Sequence, residues 1–149
     1  MLSRIKWPLI ALAAFAIGTL DPLSWIFWRA AEWRLPTIKT ESLSQPSPFE
    51  TIPRDKWVAE TDNAFVIQDI NPQGPVHLLV IPKKRYFSLA DAPPAIRAEM
   101  ITLAVRMAEE HGVAQSGYRL VINTNPQGGQ TVYHAHIHII GGRQMGWLG

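Results

Sequence analysis

None of the 149 residues is cysteine, which excludes a disulfide framework, a thiolate zinc site and a cysteine nucleophile together, and leaves redox compartment unreadable. Charge is sparse and balanced: fourteen Lys and Arg face twelve Asp and Glu, for a net charge of +2. No basic run is long enough to track a phosphate backbone, so nucleic acid is not an expected partner. The chain also lacks an uninterrupted run of the about 20 apolar residues that a spanning helix needs. Its longest run, Trp7 to Leu20, ends at Asp21 and Pro22, a carboxylate costly at bilayer depth and a helix kink.

The N-terminus nevertheless departs from that of an ordinary globular chain. Arg4 and Lys6 precede the apolar run, which resumes as Leu23 to Trp28. Trp25, Trp28 and Trp33 beside Arg29 and Arg34 suit a headgroup belt. Residues 1–34 are therefore expected to be an apolar anchor or targeting helix that associates the protein with a membrane. A cleaved signal peptide and an apolar helix packed on the domain are the competing readings, and the localisation alternatives are an exported or soluble cytoplasmic protein. Bases on both sides of the run leave the side occupied by the rest of the chain undecided. Residues 35–48, rich in Ser, Thr and Pro, read as a solvated linker, and residues 49–149 as one folded domain.

Within that domain, Ala64–Ile67 and His77–Ile81 are short β-branched runs around the turn-forming Asn71-Pro72-Gln73-Gly74-Pro75, a strand pair. Asp91, Pro93 and Pro94 open a helix, Ile96, Met100, Leu103 and Met107 recur at helical spacing, and Gly112 closes it. Tyr118–Ile122 is a third strand, and Thr131–Ile140 a long alternating one after the Gly-rich turn at Asn123–Gln130. The order ββαββ predicts an α+β fold: an antiparallel sheet with one main amphipathic helix on one face and the other face open for chemistry.

Alternation puts Val132, His134, His136, His138 and Ile140 on one face of that last strand. One histidine on a half-buried sheet is ordinary; three in a row are not. A zinc site using His134 and His136 is the first functional rival. Yet His134 and His138 would have Cα atoms roughly 13 Å apart at ~3.3 Å rise per residue, too far to share one ion easily. A chain of imidazoles fits better, the central ring using one nitrogen as nucleophile while a backbone carbonyl holds the other. Gly128-Gly129-Gln130-Thr131 just before the row adds a candidate phosphate cradle, with backbone N–H groups reached past glycine and a hydroxyl and an amide beside them. Turn and row together point to phosphoryl or nucleotidyl transfer.

The segment GGQTVYHAHIHIIGGRQMGW, with DINPQGPVHLLVIPKKR and YRLVINTN upstream, resembles the histidine-triad nucleotide-binding family, in its purine nucleoside phosphoramidase branch. The likeness covers Ile52 to Gly149. It implies that His136 attacks an α-phosphorus to form a nucleotidyl-histidine that water hydrolyses. It implies further that His138 bonds the α-phosphate region and His134 supports the array, with His77 as relay or structural histidine. By the same resemblance Asp69 accepts bonds from the ribose of an AMP-type purine nucleotide. Asn123, Gly129, Gln130, Thr131 and Val132 meet the phosphate and leaving group, and Ile67, Ile70 and Leu79 hold the base. A homodimer is implied, with Met145 and Trp147 reaching the partner's site; no metal or other cofactor is required. The chain departs from the family in having Ser44, Gln45, Pro46 and Ser47 where an apolar helix usually stands, Thr131 for the common Ser, and Gln68 for an aromatic or His. A non-catalytic nucleotide-binding scaffold at a membrane is the alternative function.

Overall fold

The computed structural model of the chain describes residues 29, 30, 34 and 37–146. The expected anchor over 1–34, with Trp25, Trp28 and Trp33, thus lies almost wholly outside the described residues, as does Trp147. Among the described residues no helix is long and apolar enough to cross a membrane.

Five strands form one antiparallel sheet: β1 (Ala59–Glu60), β2 (Ala64–Gln68), β3 (Val76–Pro82), β4 (Tyr118–Val121) and β5 (Ile137–Gly141), in the order β1-β2-β3-β5-β4. The two-residue β1 extends the expected ββαββ order. β3 is central because its run of apolar residues can be buried on both faces. It pairs with β5 so that Leu79 faces His138 and His77 faces Ile140. Residues two apart share a face, so His77 and His138 are diagonal neighbours on one side of the sheet.

Among the described residues, two α-helical stretches bear on the site. The main one, α2 (Pro94–Glu110), agrees with the spacing: Met100, Leu103, Ala104, Met107 and Ala108 are buried against Val66, Leu78, Val80, Ile137 and Ile139. Each large apolar side chain so buried stabilises by about 1.5–3 kcal/mol. Gly112, at φ 71°, takes the left-handed turn that ends the helix without a Cβ penalty.

The other, α1, spans described residues 37–44 and corrects the reading of 35–48 as a solvated linker. Its backbone is fastened to the domain. The Arg85 guanidinium donates to the carbonyls of Ser42 and Gln45 at 2.7 and 2.8 Å and to that of Tyr133 at 3.0 Å. The Tyr133 N–H donates to Ser42 Oγ at 3.2 Å. The helix is thus anchored through hydrogen bonds to carbonyls at its C-terminal end.

A second correction concerns the histidine strand. Regular pairing begins only at Ile137, and 131–136 is irregular backbone. Nor is the histidine face open throughout: Phe49, Ile52 and Trp57 pack on Phe65, Ile67, Leu79 and Ile81 there.

Candidate active site

The irregular stretch before β5 is held by its histidines as well as by the bonds of Tyr133 to Arg85 and Ser42 and of the Ala135 N–H to the Tyr86 carbonyl. His134, 1% exposed, donates from Nε2 to the carbonyl of Pro82 at the end of β3, 2.8 Å away. Its Nδ1 must then be the acceptor, and Ser47 Oγ lies 2.9 Å from it. The carbonyl of His134 accepts the Nδ1–H of His136 at 2.7 Å. A carbonyl only accepts, so this bond fixes the proton of a neutral His136 on Nδ1 and leaves Nε2 with its lone pair. Phe49 stands edge-on to both rings, with centroids 5.6 Å from His134 and 5.3 Å from His136.

The other half of the array follows the same logic from a different start. The Gln73 N–H donates to His77 Nδ1 at 3.0 Å, so the His77 proton sits on Nε2. It points at His138 Nδ1, 2.9 Å away, with Asp69 Oδ2 farther off at 3.3 Å; the shorter contact is the hydrogen bond. His138 in turn carries its proton on Nε2. Its ring stands edge-on to His136 at 4.9 Å.

Burial favours the neutral form of all three triad rings. It holds His134 below the ordinary histidine range against the opposing pull of the Pro82 carbonyl. It lowers His136 likewise, against its bond to His134 and the charge of Asp69. His138 falls to about 4, through burial first, then the neighbouring His136 and His77, with Asp69 opposing. Neutral imidazoles suit attack on phosphorus, since a protonated ring has no lone pair to give.

Asp69 is divided: Oδ1 caps the turn by accepting the Asn71 N–H at 2.8 Å, and Oδ2 faces His77 and His138. Beside it runs a groove of about 720 Å³, lined by Ile52, Trp57, Ile67, Gln68 and Ile70 among others. Ile67 and Leu79 are buried on the histidine face, while Ile70 is 90% exposed. Asn123 is half-buried and Thr131 exposed, with Val132 half-buried between the turn and the histidines.

The expected cradle is corrected by its own hydrogen bonds. The N–H groups of Gly128 and Gln130 both go to Asn125 O at 3.1 Å and that of Gly129 to Pro126 O at 2.9 Å. Gly129, at φ 73°, makes the turn instead of baring its amide. Gln130 spends its side chain on the carbonyls of Phe87 and Val132 and on the Asn125 N–H. It braces the loop from within.

Among the described residues, Asp69, His77 and His138 could hold a metal ion, their ligand atoms lying within 4.8 Å of one another. These are not the His134 and His136 suggested by strand alternation. The donor set fits, but the tautomer does not: with Gln73 donating to His77 Nδ1, its Nε2 carries a proton where a metal would need a lone pair.

Sequence reasoning missed Ser47, Phe49 as a ring partner, Gln73 and Arg85. Ser47 and Arg85 meet their partners across 87 and about 40 to 48 residues, without a local pattern to mark them.

The profile of the HIT domain family matches residues 51–145. Purine nucleoside phosphoramidase of Escherichia coli (strain K12) is 43% identical over 98 residues, covering 64% of this chain and 82% of that protein. The adenylylsulfatase HINT1 of Arabidopsis thaliana is 43% identical over 117 residues, 75% of either chain. Among solved structures, a HIT family hydrolase from Legionella pneumophila superposes with a TM-score of 0.59 at 38% identity, over 74% of this chain and 95% of that one.

Proposed function

The chain belongs to the HIT domain family, and from that premise we propose that it hydrolyses purine nucleoside phosphoramidates or related nucleoside monophosphate conjugates through a nucleotidyl intermediate on His136. The observation that carries this reading is the fixed tautomer of His136, whose Nδ1–H is held by the His134 carbonyl at 2.7 Å. Its Nε2 attacks the α-phosphorus: a P–N bond to His136 forms as the bond to the leaving amine breaks, and the amine takes up a proton. Water then attacks the same phosphorus and gives up a proton, which balances the one the amine took, the bond to His136 breaks, and the nucleoside monophosphate leaves.

The remaining residues fall into place around that step. His138 Nε2–H is a donor for the phosphoryl oxygens, as the His77 relay leaves it. Asn123, Thr131 and Val132 border the phosphate and leaving group. Asp69 accepts the ribose hydroxyls, a carboxylate being acceptor-only, and the groove beside it, with Ile67 and Ile70, takes the base.

Two further features belong to this proposal. Ile101 and Val105 stand exposed one turn apart on α2, and Ile122 is exposed just beyond β4, an end strand of the sheet; exposed apolar side chains and an unpaired strand edge suit a homodimer. The apolar run and tryptophans of residues 1–34 support association with a membrane, and carbonate extraction that released all the protein would count against it.

The test is turnover of a fluorogenic adenosine phosphoramidate by the full-length chain in mild detergent. The parent should release product with or without chelator, and His136→Ala should lose on the order of 10³-fold or more in kcat. No release by a parent of verified fold would sink the catalytic reading and favour a nucleotide-binding scaffold.

A further inference from the structure

Ser47 lies in a stretch whose composition suggests solvent, yet it is 1% exposed and touches the triad. We infer that Ser47 is a positioning residue for His136, acting through His134; this rests on the reading of His136 as the nucleophile.

The hydrogen bonds leave the Ser47 hydroxyl one role. His134 Nε2 donates to the Pro82 carbonyl, so a neutral His134 presents a bare Nδ1, and Ser47 Oγ at 2.9 Å donates to it. The oxygen is itself oriented by accepting the Phe49 N–H at 3.2 Å. Ser47 is fixed in turn: its N–H donates to Glu50 Oε2 and its carbonyl accepts the Glu50 N–H, each at 3.0 Å. The His134 ring is thereby clamped at both nitrogens, between the turn at 47–50 and the end of β3. Because 131–136 is irregular backbone, no strand ladder holds His134 in place. Its carbonyl, which sets the His136 tautomer, is held from two sides: by that clamp on the ring, and by the Ala135 N–H of the same peptide unit, which donates to the Tyr86 carbonyl at 2.7 Å. Without the Ser47 donor, one nitrogen of a buried ring is unsatisfied, and the ring turns to seek another partner, shifting the residue whose carbonyl holds His136.

The experiment compares the full-length parent with Ser47→Ala, Ser47→Thr and Ser47→Cys, using two readouts: kcat and KM for the adenosine phosphoramidate, and ¹⁵N resonances of the histidine rings. Ser47→Ala should lower kcat by ~10- to 100-fold, the scale of a misplaced reacting group, with KM little changed. The ring nitrogens of both His134 and His136 should shift, and Ser47→Thr, which keeps the hydroxyl, should restore both readouts. Parental kcat in folded Ser47→Ala, or a shift that stops at His134, overturns the inference. Should the alanine variant not fold, Ser47→Cys, of similar size with a weaker donor, must fall between parent and loss; parental kcat there overturns it as well. If the parent itself shows no turnover, the catalytic reading has failed, and the ring resonances alone decide whether Ser47 positions His136.

Discussion

The array divides into two halves that are held by different kinds of partner. His134 and His136 hang from backbone carbonyls, those of Pro82 and His134, under the edge of Phe49. His77 and His138 hold each other, with Asp69 Oδ2 beside both. A carbonyl does not titrate, so the first half keeps one tautomer of the nucleophile at any working pH. The second half is a chain of ionisable groups, able to shift protons along its length. The difference assigns the tasks: a fixed lone pair on His136, and an adjustable donor on His138.

Breaking the adjustable half should cost activity without abolishing it. His138→Ala removes the donor proposed for the phosphoryl oxygens while His136 keeps its carbonyl bond, and kcat should fall by ~10²-fold. The same adenosine phosphoramidate assay reads the loss, and a fall as deep as that of His136→Ala would mean that the two halves do not have separate tasks.

Acid should act next, and the sign is fixed by which state binds the proton. His138 titrates at about 4 in the folded chain and near its ordinary value of about 6.5 when unfolded. Between these values the unfolded chain binds the extra proton, so stability falls as pH drops from about 6.5 towards 4, and this contribution is fully present above 6.5. The lowered His134 and His136 add to it with the same sign. Thermal melts at pH 7.5 and 5 should differ by on the order of a few kcal/mol at most. His138→Asn should flatten the dependence, and an unchanged slope in that variant would place the acid sensitivity elsewhere.

The smallest effect should come from the fixed half's scaffold. Arg85→Ala removes three hydrogen bonds to carbonyls of Ser42, Gln45 and Tyr133, and should cost about 1–3 kcal/mol of stability. Denaturant unfolding measures it; no loss would mean that α1 contributes little to holding the triad loop.

The sheet, α2 and the histidine row could be read because each rests on local periodicity. Met100, Leu103 and Met107 declare a helix by spacing alone, and His134, His136 and His138 a row by alternation. Residues that work by reaching across the fold left no such mark. Ser42, Gln45 and Ser47 look like linker because their composition is polar, yet Ser42 and Gln45 offer carbonyls, and Ser42 and Ser47 hydroxyls, to partners 40 or more residues away. The Gly128-Gly129 turn misled for the opposite reason. Glycine marks where backbone can approach a ligand, but the same freedom lets the turn bond to itself, as its amides do here.

The central claim is that His136 Nε2 bonds to phosphorus. The most direct test is to mix the full-length chain with an adenosine phosphoramidate, quench with alkali within the first turnovers, and sequence the peptides by mass spectrometry. An adenylyl group on His136, absent from His136→Ala, is the predicted result; a parent that turns over with no adduct on His136, or with one on another residue, would contradict it.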